Sequence, residues 1–199
     1  MSVDFGTYHH STKEDSEMLR GIAKELFFQA FMKTGLPRDK EISVLDVGCG
    51  LGFLSYVVTQ YFPKAKILGI DTFENSSLLD SDMRKAEENM EHLGIRDRVF
   101  FKRLNVLDIT EELGHFDIVV SNLVFHNLGR RRFEAYEKIT KVMKPSSFFI
   151  NGDIFFGSEP EKSFEADISR LSKIFKLIFS KRLELKESLT YYIAVLTRA

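Results

Sequence analysis

The chain alternates short apolar runs with longer segments in which apolar residues recur every three or four positions. Short runs of this kind are typical of buried strands, and the longer spacing is typical of amphipathic helices. The runs predict strands at about residues 43–47, 66–70, 99–104, 116–121, 148–152, 176–185 and 190–197. The helical spacing predicts helices before residue 35 and at about 52–61, 78–93, 133–143 and 163–174.

The order of these elements predicts an α/β fold. Strands and helices alternate from residue 43 to 154, so the crossovers should be right-handed and the sheet open, doubly wound and mostly parallel. The last two strands flank a short polar turn and predict an antiparallel C-terminal hairpin. We therefore expect one domain over residues 1–199, with a core at 41–199 and an N-terminal helical extension at 1–40.

Two helix starts are indicated by capping residues. Ser11 and Glu14 have the spacing of a capping box at the start of the N-terminal helix. Asn75-Ser76-Ser77 has side chains suited to start the third helix, which then carries Leu78 and Leu79 on its apolar face.

Composition narrows the functional classes. The 28 basic and 29 acidic residues nearly cancel, so the whole chain exerts no strong attraction on nucleic acid or an anionic membrane. No apolar run approaches the roughly 20 residues of a membrane span, and the first residues do not resemble a secretion signal. A single cysteine excludes an internal disulfide and a cysteine-cluster metal site. We expect a cytoplasmic protein without a metal site or a membrane partner.

The first predicted strand leads into a glycine-rich turn with the form D-x-G-x-G-x-G. It contains Asp46, Gly48, Cys49, Gly50 and Gly52. Glycine is needed where a Cβ atom would block a tight turn or the approach of main chain to a ligand. A dinucleotide fingerprint, G-x-G-x-x-G, would place its third glycine one residue later. The turn predicts a site for a nucleotide-type cofactor other than a dinucleotide.

Asp71 ends the second strand, 19 residues after Gly52. Its carboxylate can accept hydrogen bonds from both hydroxyls of a ribose. Thr72 and Phe73 follow and would flank an adenine, with stacking by Phe73 as one alternative and ordinary packing as the other.

These two motifs resemble those of the class I S-adenosylmethionine-dependent methyltransferases. The resemblance implies a seven-stranded sheet, S-adenosylmethionine as cofactor and a ribose-binding role for Asp71. It also implies that Asp46 helps to place the amino group of the cofactor, although amides of the glycine turn could partner this carboxylate without any ligand. Cys49 is interpreted as a small spacer rather than a nucleophile, because no activating base lies beside it in sequence.

Two later strand ends extend the resemblance. The family's position for binding the adenine amino group aligns with Asn105, or with Asp108 if the alignment slips, and the Val106 N–H would bond a ring nitrogen. Ser121 and Asn122 end the fourth strand and would face the methionine part of the cofactor. The Asn-Pro-Pro-Tyr form of enzymes that methylate exocyclic or amide nitrogens is absent after Asn122.

His126 is the candidate catalytic residue. It follows the fourth strand, and an imidazole with a pKa near 6.5 can remove a proton from an acceptor oxygen or nitrogen. A packed or solvated loop histidine is the alternative. The cluster Tyr8-His9-His10 is a candidate lid, without the spacing of metal ligands, and Arg130-Arg131-Arg132 is interpreted as an exposed face rather than a phosphate site.

The sequence thus predicts a methyltransferase that uses S-adenosylmethionine, with a small molecule as the preferred acceptor. A protein or RNA acceptor is an alternative, and a cofactor-binding subunit without transferase activity is another. A nicotinamide dehydrogenase is disfavoured by Phe53, which stands where the third glycine of the dinucleotide fingerprint would be. The oligomeric state is left open.

Overall fold

The computed structural model describes residues 3–74, 78–186 and 188–199 and contains one seven-stranded sheet. The strands are β1 (Ser43–Val47), β2 (Lys66–Asp71), β3 (Val99–Arg103), β4 (Phe116–Asn122), β5 (Met143–Phe156), β6 (Phe175–Lys186) and β7 (Leu189–Arg198). Their spatial order is β3-β2-β1-β4-β5-β7-β6. β1 to β5 pair in parallel, and β7 pairs antiparallel with both β5 and β6. The predicted doubly wound sheet with a C-terminal hairpin is confirmed.

Within the described residues, five α-helices cover the two faces of this sheet. They are α1 (Lys13–Lys33), α2 (Phe53–Tyr61), α3 (Met83–His92), α4 (Arg132–Lys141) and α5 (Pro160–Leu171). Side chains alternate between the faces along a strand, so Val44 packs with residues of α1, α2 and α3, whereas Leu45 packs with residues of α4 and α5. The central strands are therefore buried on both sides, as their continuous apolar runs predict.

Two predicted helix starts differ from the structure. Thr12, not Ser11, caps α1, because the Thr12 hydroxyl accepts a hydrogen bond from the Asp15 N–H at 3.0 Å. Asp82 caps α3 by accepting from the amides of Arg84 and Lys85. The predicted start of this helix at 75–77 lies outside the described residues.

Residues 78 and 79 precede α3 rather than belong to it. Leu78 forms an isolated antiparallel bridge with Tyr8, so a tertiary pairing replaces the predicted helical turn. In the sequence, Leu78 and Leu79 fit the 3.6-residue period of the apolar residues in α3. The helix nevertheless begins only after its N-cap, Asp82.

The fifth strand is longer than the apolar run predicts. β5 starts at Met143, which was predicted to end the preceding helix, and continues to Phe156 because β7 pairs with it from Phe148 to Phe156. The polar residues 151–153 interrupt the apolar run, so the pairing with β7 could not be read from the pattern. α5 likewise starts three residues earlier than predicted, at Pro160 in its first turn, where proline is favoured.

Candidate functional site

A cavity of about 280 Å³ lies at the carboxyl ends of β1, β2 and β4. β1 and β4 are neighbours at the point where the strand order reverses, which is where open α/β sheets bind ligands. Most of the residues proposed from the sequence line it: Asp46, Gly48, Cys49, Gly50, Asp71, Thr72, Asn105, Val106 and Asn122. Gly52, Phe73, Ser121 and His126 do not.

The glycine turn is held by the neighbouring strand. The amides of Gly48 and Cys49 both donate to the Ile70 carbonyl, at 2.8 and 3.1 Å. Gly48 has a φ of 71°, and a Cβ atom there would lie 2.2 Å from Val124 Cγ2. Gly52 has a φ of 88°, and its Cβ would lie 2.6 Å from Met90 Cε. At Gly48 the contact with Val124 excludes a larger residue, whereas at Gly52 the positive φ favours glycine and the Met90 contact is with the end of a flexible side chain.

Asp71 is fixed at the end of β2 by two main-chain amides. Its Oδ2 accepts from the Gly50 N–H at 2.9 Å, and its Oδ1 accepts from the Phe73 N–H at 2.7 Å. An ionised carboxylate has about four acceptor positions, so each oxygen can accept one further bond. The amides orient the group and leave capacity for two ligand hydroxyls.

Asp46 lies on the floor of the cavity and is 1% exposed. Its Oδ2 accepts from the Ser55 hydroxyl at 2.7 Å, while its Oδ1 is buried and has no hydrogen-bond partner among the described residues. Burial raises the pKa of Asp46 to about 7, against the Ser55 hydrogen bond, and the nearby Asp71 carboxylate adds to the rise. An unpartnered carboxylate oxygen in a buried site can accept a hydrogen bond from a cationic ligand group.

Cys49 is buried beside these carboxylates. Burial raises the pKa of its thiol well above the ordinary value, and the charges of Asp46 and Asp71 raise it further. A thiol held in its protonated form is a poor nucleophile. This environment supports the interpretation of Cys49 as a spacer.

The third and fourth strand ends supply different contacts. The Asn105 side chain accepts from the Leu107 N–H at 3.0 Å and caps a short 3-10 turn that starts at Val106. Asn122 faces the cavity, and its Oδ1 accepts from the Tyr191 hydroxyl at 2.6 Å. Ser121 points away from it, since it is fully buried and donates to the Val47 carbonyl at 2.9 Å.

Phe73 does not face the cavity. It is 5% exposed, has a φ of 53° and packs in a small cluster with Cys49 and Ala86. The Arg103 guanidinium lies 5.6 Å from its ring centroid. The structure therefore favours the packing alternative over adenine stacking.

His126 also turns away from the cavity. Its Nδ1 lies 2.6 Å from Asp153 Oδ1, and its main-chain N–H donates to Asp153 Oδ2 at 3.0 Å. The residues that follow, Asn127 and Leu128, do line the cavity. His126 thus lies behind the wall of the site in this arrangement, where it partners a buried carboxylate.

The N-terminal strap, residues 4–8, lies against the cavity and is held by hydrogen bonds to α3 and to the segment before it. Asp4 exchanges two hydrogen bonds with the Asn89 side chain, at 3.1 and 2.7 Å, and the Leu79 N–H donates to the Thr7 carbonyl at 3.2 Å. Phe5 and Tyr8 line the cavity from this side. Of the candidate lid residues, Tyr8 is in the site, whereas His9 and His10 are exposed.

Sequence reasoning missed Arg20, which lines the cavity from α1. Its guanidinium lies 4.7 Å from the Tyr8 ring centroid and donates through Nη2 to the Phe5 and Gly6 carbonyls. Burial raises the pKa of the Tyr8 phenol, and the Arg20 charge opposes this rise. The missed signal was an arginine in the buried stripe of α1, between Ser16 and Ala23, where a cation is unusual.

Two residues of the arginine run at 130–132 form ion pairs. Arg132 pairs with Asp167 through two hydrogen bonds of 2.7 Å, and Arg131 lies 3.4 Å from Glu134.

Among the residues that the structure describes, no three His, Cys, Asp or Glu side chains are grouped to hold a metal ion. Within the same ranges, every helix is too short or too polar to cross a membrane.

The fold is shared with known methyltransferases. A solved S-adenosylmethionine-dependent methyltransferase from Geobacter sulfurreducens, in complex with S-adenosyl-L-homocysteine, superposes with a TM-score of 0.66. The superposition covers 88% of this chain and 90% of that one, at 13% sequence identity. At this identity the likeness concerns the fold alone.

Curated sequence relatives align with a shorter part of this chain than the solved structure does. The malonyl-(acyl-carrier protein) O-methyltransferase of Priestia megaterium is 25% identical over 127 residues, 64% of this chain and 40% of that enzyme. The ribosomal RNA small subunit methyltransferase C of Enterobacter sp. (strain 638) is 29% identical over 113 residues, 57% of this chain and 30% of that enzyme. The chain thus spans less than half the length of these curated relatives.

A family model described as a methyltransferase domain matches residues 38–190, more than three quarters of the chain. The match begins just before β1 and includes the glycine turn and Asp71. Together with the fold, it confirms the resemblance that the two motifs indicated. The chain therefore belongs to the methyltransferase domain family with a Rossmann-like, seven-stranded sheet.

Proposed function

We propose that this chain binds S-adenosylmethionine in the cavity and transfers its methyl group to a small-molecule acceptor. The observation that carries the proposal is the Asp71 carboxylate, which two amides orient at the cavity wall with capacity for a ribose diol. The buried, unpartnered Oδ1 of Asp46 supports it, because the amino group of such a cofactor is a cation. Both groups fit the cofactor that the family implies.

The other wall residues have roles that follow from their position. Thr72, Asn105 and Val106 lie beyond Asp71 at the ends of β2 and β3, where an adenine attached to that ribose would lie. Asn122 lies at the end of β4, on the side of the methionine part. Gly48 and Gly50 allow the main chain to pass close beneath the ligand.

Catalysis in this proposal needs alignment more than acid–base chemistry. The bound cofactor supplies a methyl group on a sulfonium, which leaves as a neutral thioether. The chain's own residues fix the adenosine end, and Phe5 and Tyr8 of the strap limit the access of water to the methionine end. This is consistent with a cavity wall whose described residues include no catalytic triad.

Two observations support a small acceptor over RNA. Phe5 and Tyr8 of the strap line the cavity, and an aromatic wall of this kind suits a small molecule. Of the arginine run, Arg131 and Arg132 lie in ion pairs with Glu134 and Asp167, which reduces the charge available to phosphates. An RNA acceptor would instead require a basic surface beside the cavity.

The cofactor assignment is tested by calorimetry with S-adenosylmethionine, S-adenosyl-L-homocysteine and NAD. Wild-type protein should bind the first two and not NAD. Asp71→Ala should weaken binding at least tenfold, since two charge-assisted hydrogen bonds of about 1.5 to 3 kcal/mol are lost and water replaces part of them. Asp97→Ala, at an exposed aspartate beside the opposite end of β3, is the matched control and should bind normally. Tighter binding of NAD, or normal binding by Asp71→Ala, would contradict the assignment.

The acceptor class is tested with cofactor labelled on the methyl group and an extract of the source cell. Label should appear in the small-molecule fraction. Label in RNA or protein would move the acceptor to the other class. No transfer to any fraction, with cofactor binding intact, would support a binding subunit without transferase activity.

A further inference from the structure

We propose that Arg20 binds the carboxylate of the methionine portion of the cofactor. The inference rests on the proposed function and names the group that completes that site. Arg20 belongs to α1 and lies outside residues 38–190, which the family model matches. It is therefore a feature of this chain's N-terminal extension rather than of the matched segment.

The first argument is the state of the Arg20 charge. The side chain is 6% exposed, and its Nε is buried without a hydrogen-bond partner among the described residues. No carboxylate of the described chain lies within 4.0 Å of the guanidinium, and its Nη2 bonds only to two neutral carbonyls. A buried cation with neutral partners is costly, so an anion is expected beside it.

The second argument is the distribution of charge around the cavity. Three acidic residues line it: Asp46, Asp71 and Glu74. Arg20 is the single basic residue among the described residues of the lining. An amino acid zwitterion needs one anionic and one cationic partner, and Asp46 already offers an unpartnered oxygen to the ammonium. Arg20 is the corresponding partner for the carboxylate.

The third argument is the position of the guanidinium at the start of α2. It lies 6.0 Å from the ring centroid of Phe53, the first residue of this helix. Gly52 occupies the N-cap and has no side chain to cap α2, and the Asp46 carboxylate bonds Ser55 in the first turn. The helix dipole favours an anion near such an N-terminus. Arg20 and α2 thus present two anion-binding features to the same part of the cavity.

The test compares S-adenosylmethionine with its decarboxylated analogue, which keeps the adenosine, the sulfonium and the ammonium. Calorimetry should show that wild-type protein binds the complete cofactor about 10-fold to 100-fold more tightly, the range for losing a charge-assisted pair. Arg20→Gln should reduce this preference to less than about threefold. Arg20→Lys keeps the positive charge and should retain part of the preference.

Arg38→Gln is the matched control. Arg38 also lies 4.7 Å from an aromatic ring, that of Tyr61, and also donates to main-chain carbonyls, but it is not part of the cavity wall. Its variant should keep the wild-type preference. Thermal denaturation of each variant checks the fold, and wild type with Arg20→Lys still tests the proposal if Arg20→Gln does not fold.

Three results would overturn the inference while leaving the proposed function intact. One is equal affinity of wild-type protein for the two ligands. Another is an equal loss of both affinities in Arg20→Gln, because Arg20 would then act only by holding the strap through the Phe5 and Gly6 carbonyls. A guanidinium reserved for an anionic acceptor would leave both affinities unchanged, which also contradicts the inference. Failure of wild-type protein to bind either ligand would instead refute the proposed function.

Discussion

Asp46 should make the free protein and its cofactor complex respond to pH in opposite directions. Burial raises the pKa of this carboxyl from its ordinary 3.8 to about 7. The ionised form is therefore the destabilising one in the free folded protein. The loss of unfolding free energy caused by ionised Asp46 is fully present above pH 7. It is relieved as the pH falls from about 7 toward the ordinary pKa of 3.8. The free protein thus favours the protonated form of Asp46. A bound cofactor would favour the ionised form, because its ammonium group pairs with a carboxylate.

The magnitude follows from the two pKa values. A difference of about three units corresponds to roughly 4 kcal/mol of unfolding free energy at high pH, at about 1.36 kcal/mol per unit. Because the unfolded state also titrates, about 3 kcal/mol of this is relieved between pH 8 and pH 5. If only the ionised form binds the cofactor, about one tenth of the protein is competent at pH 6, and the affinity should fall about tenfold from pH 8.

Urea denaturation of ligand-free wild type and Asp46→Asn from pH 5 to 8 measures the first effect. Subtracting the unfolding free energy of the variant from that of wild type at each pH removes the contributions of the other titrating groups. Wild type should gain about 3 kcal/mol relative to the variant on acidification. Calorimetry with S-adenosyl-L-homocysteine over the same range measures the second effect, which Asp46→Asn should lack. Parallel stability curves for the two proteins would refute the argument, because Asp46 would then titrate alike in the folded and unfolded states.

Two further predictions concern packing around the site. Gly48→Ala should lower the unfolding free energy by about 1 to 3 kcal/mol more than Gly94→Ala, because both glycines have a φ near +70° but only the Gly48 Cβ meets Val124. Equal losses in urea denaturation would show that Val124 moves aside freely. His126→Ala should lower stability by about 1 to 3 kcal/mol, since it removes a partner of the buried Asp153, and leave affinity for S-adenosyl-L-homocysteine within about threefold. A fall in methyl transfer of hundredfold or more in this variant would instead show that His126 acts as a base.

The sequence by itself determined the order of the strands and helices along the chain and the placement of the candidate cofactor site. Apolar runs and helical spacing are local properties of the chain, and they are strong here because β1 and β4 are buried on both faces. The glycine turn and Asp71 are also locally readable. A strand that leads into glycines needing positive φ, followed by an acid at the next strand end, constrains the main chain wherever the rest of the molecule lies.

The tertiary structure alone decided which side chains meet at the site. Arg20 reaches the cavity because α1 packs on the face of the sheet that carries α2, which its own residue spacing does not specify. His126 meets Asp153 because the pairing of β4 with β5 ends at Gly152, which places Asp153 beside the segment that follows β4. Contacts of this kind join residues far apart in sequence, and they depend on crossovers and strand register. Local periodicity fixes the element on which a residue lies, whereas packing between elements fixes its partner.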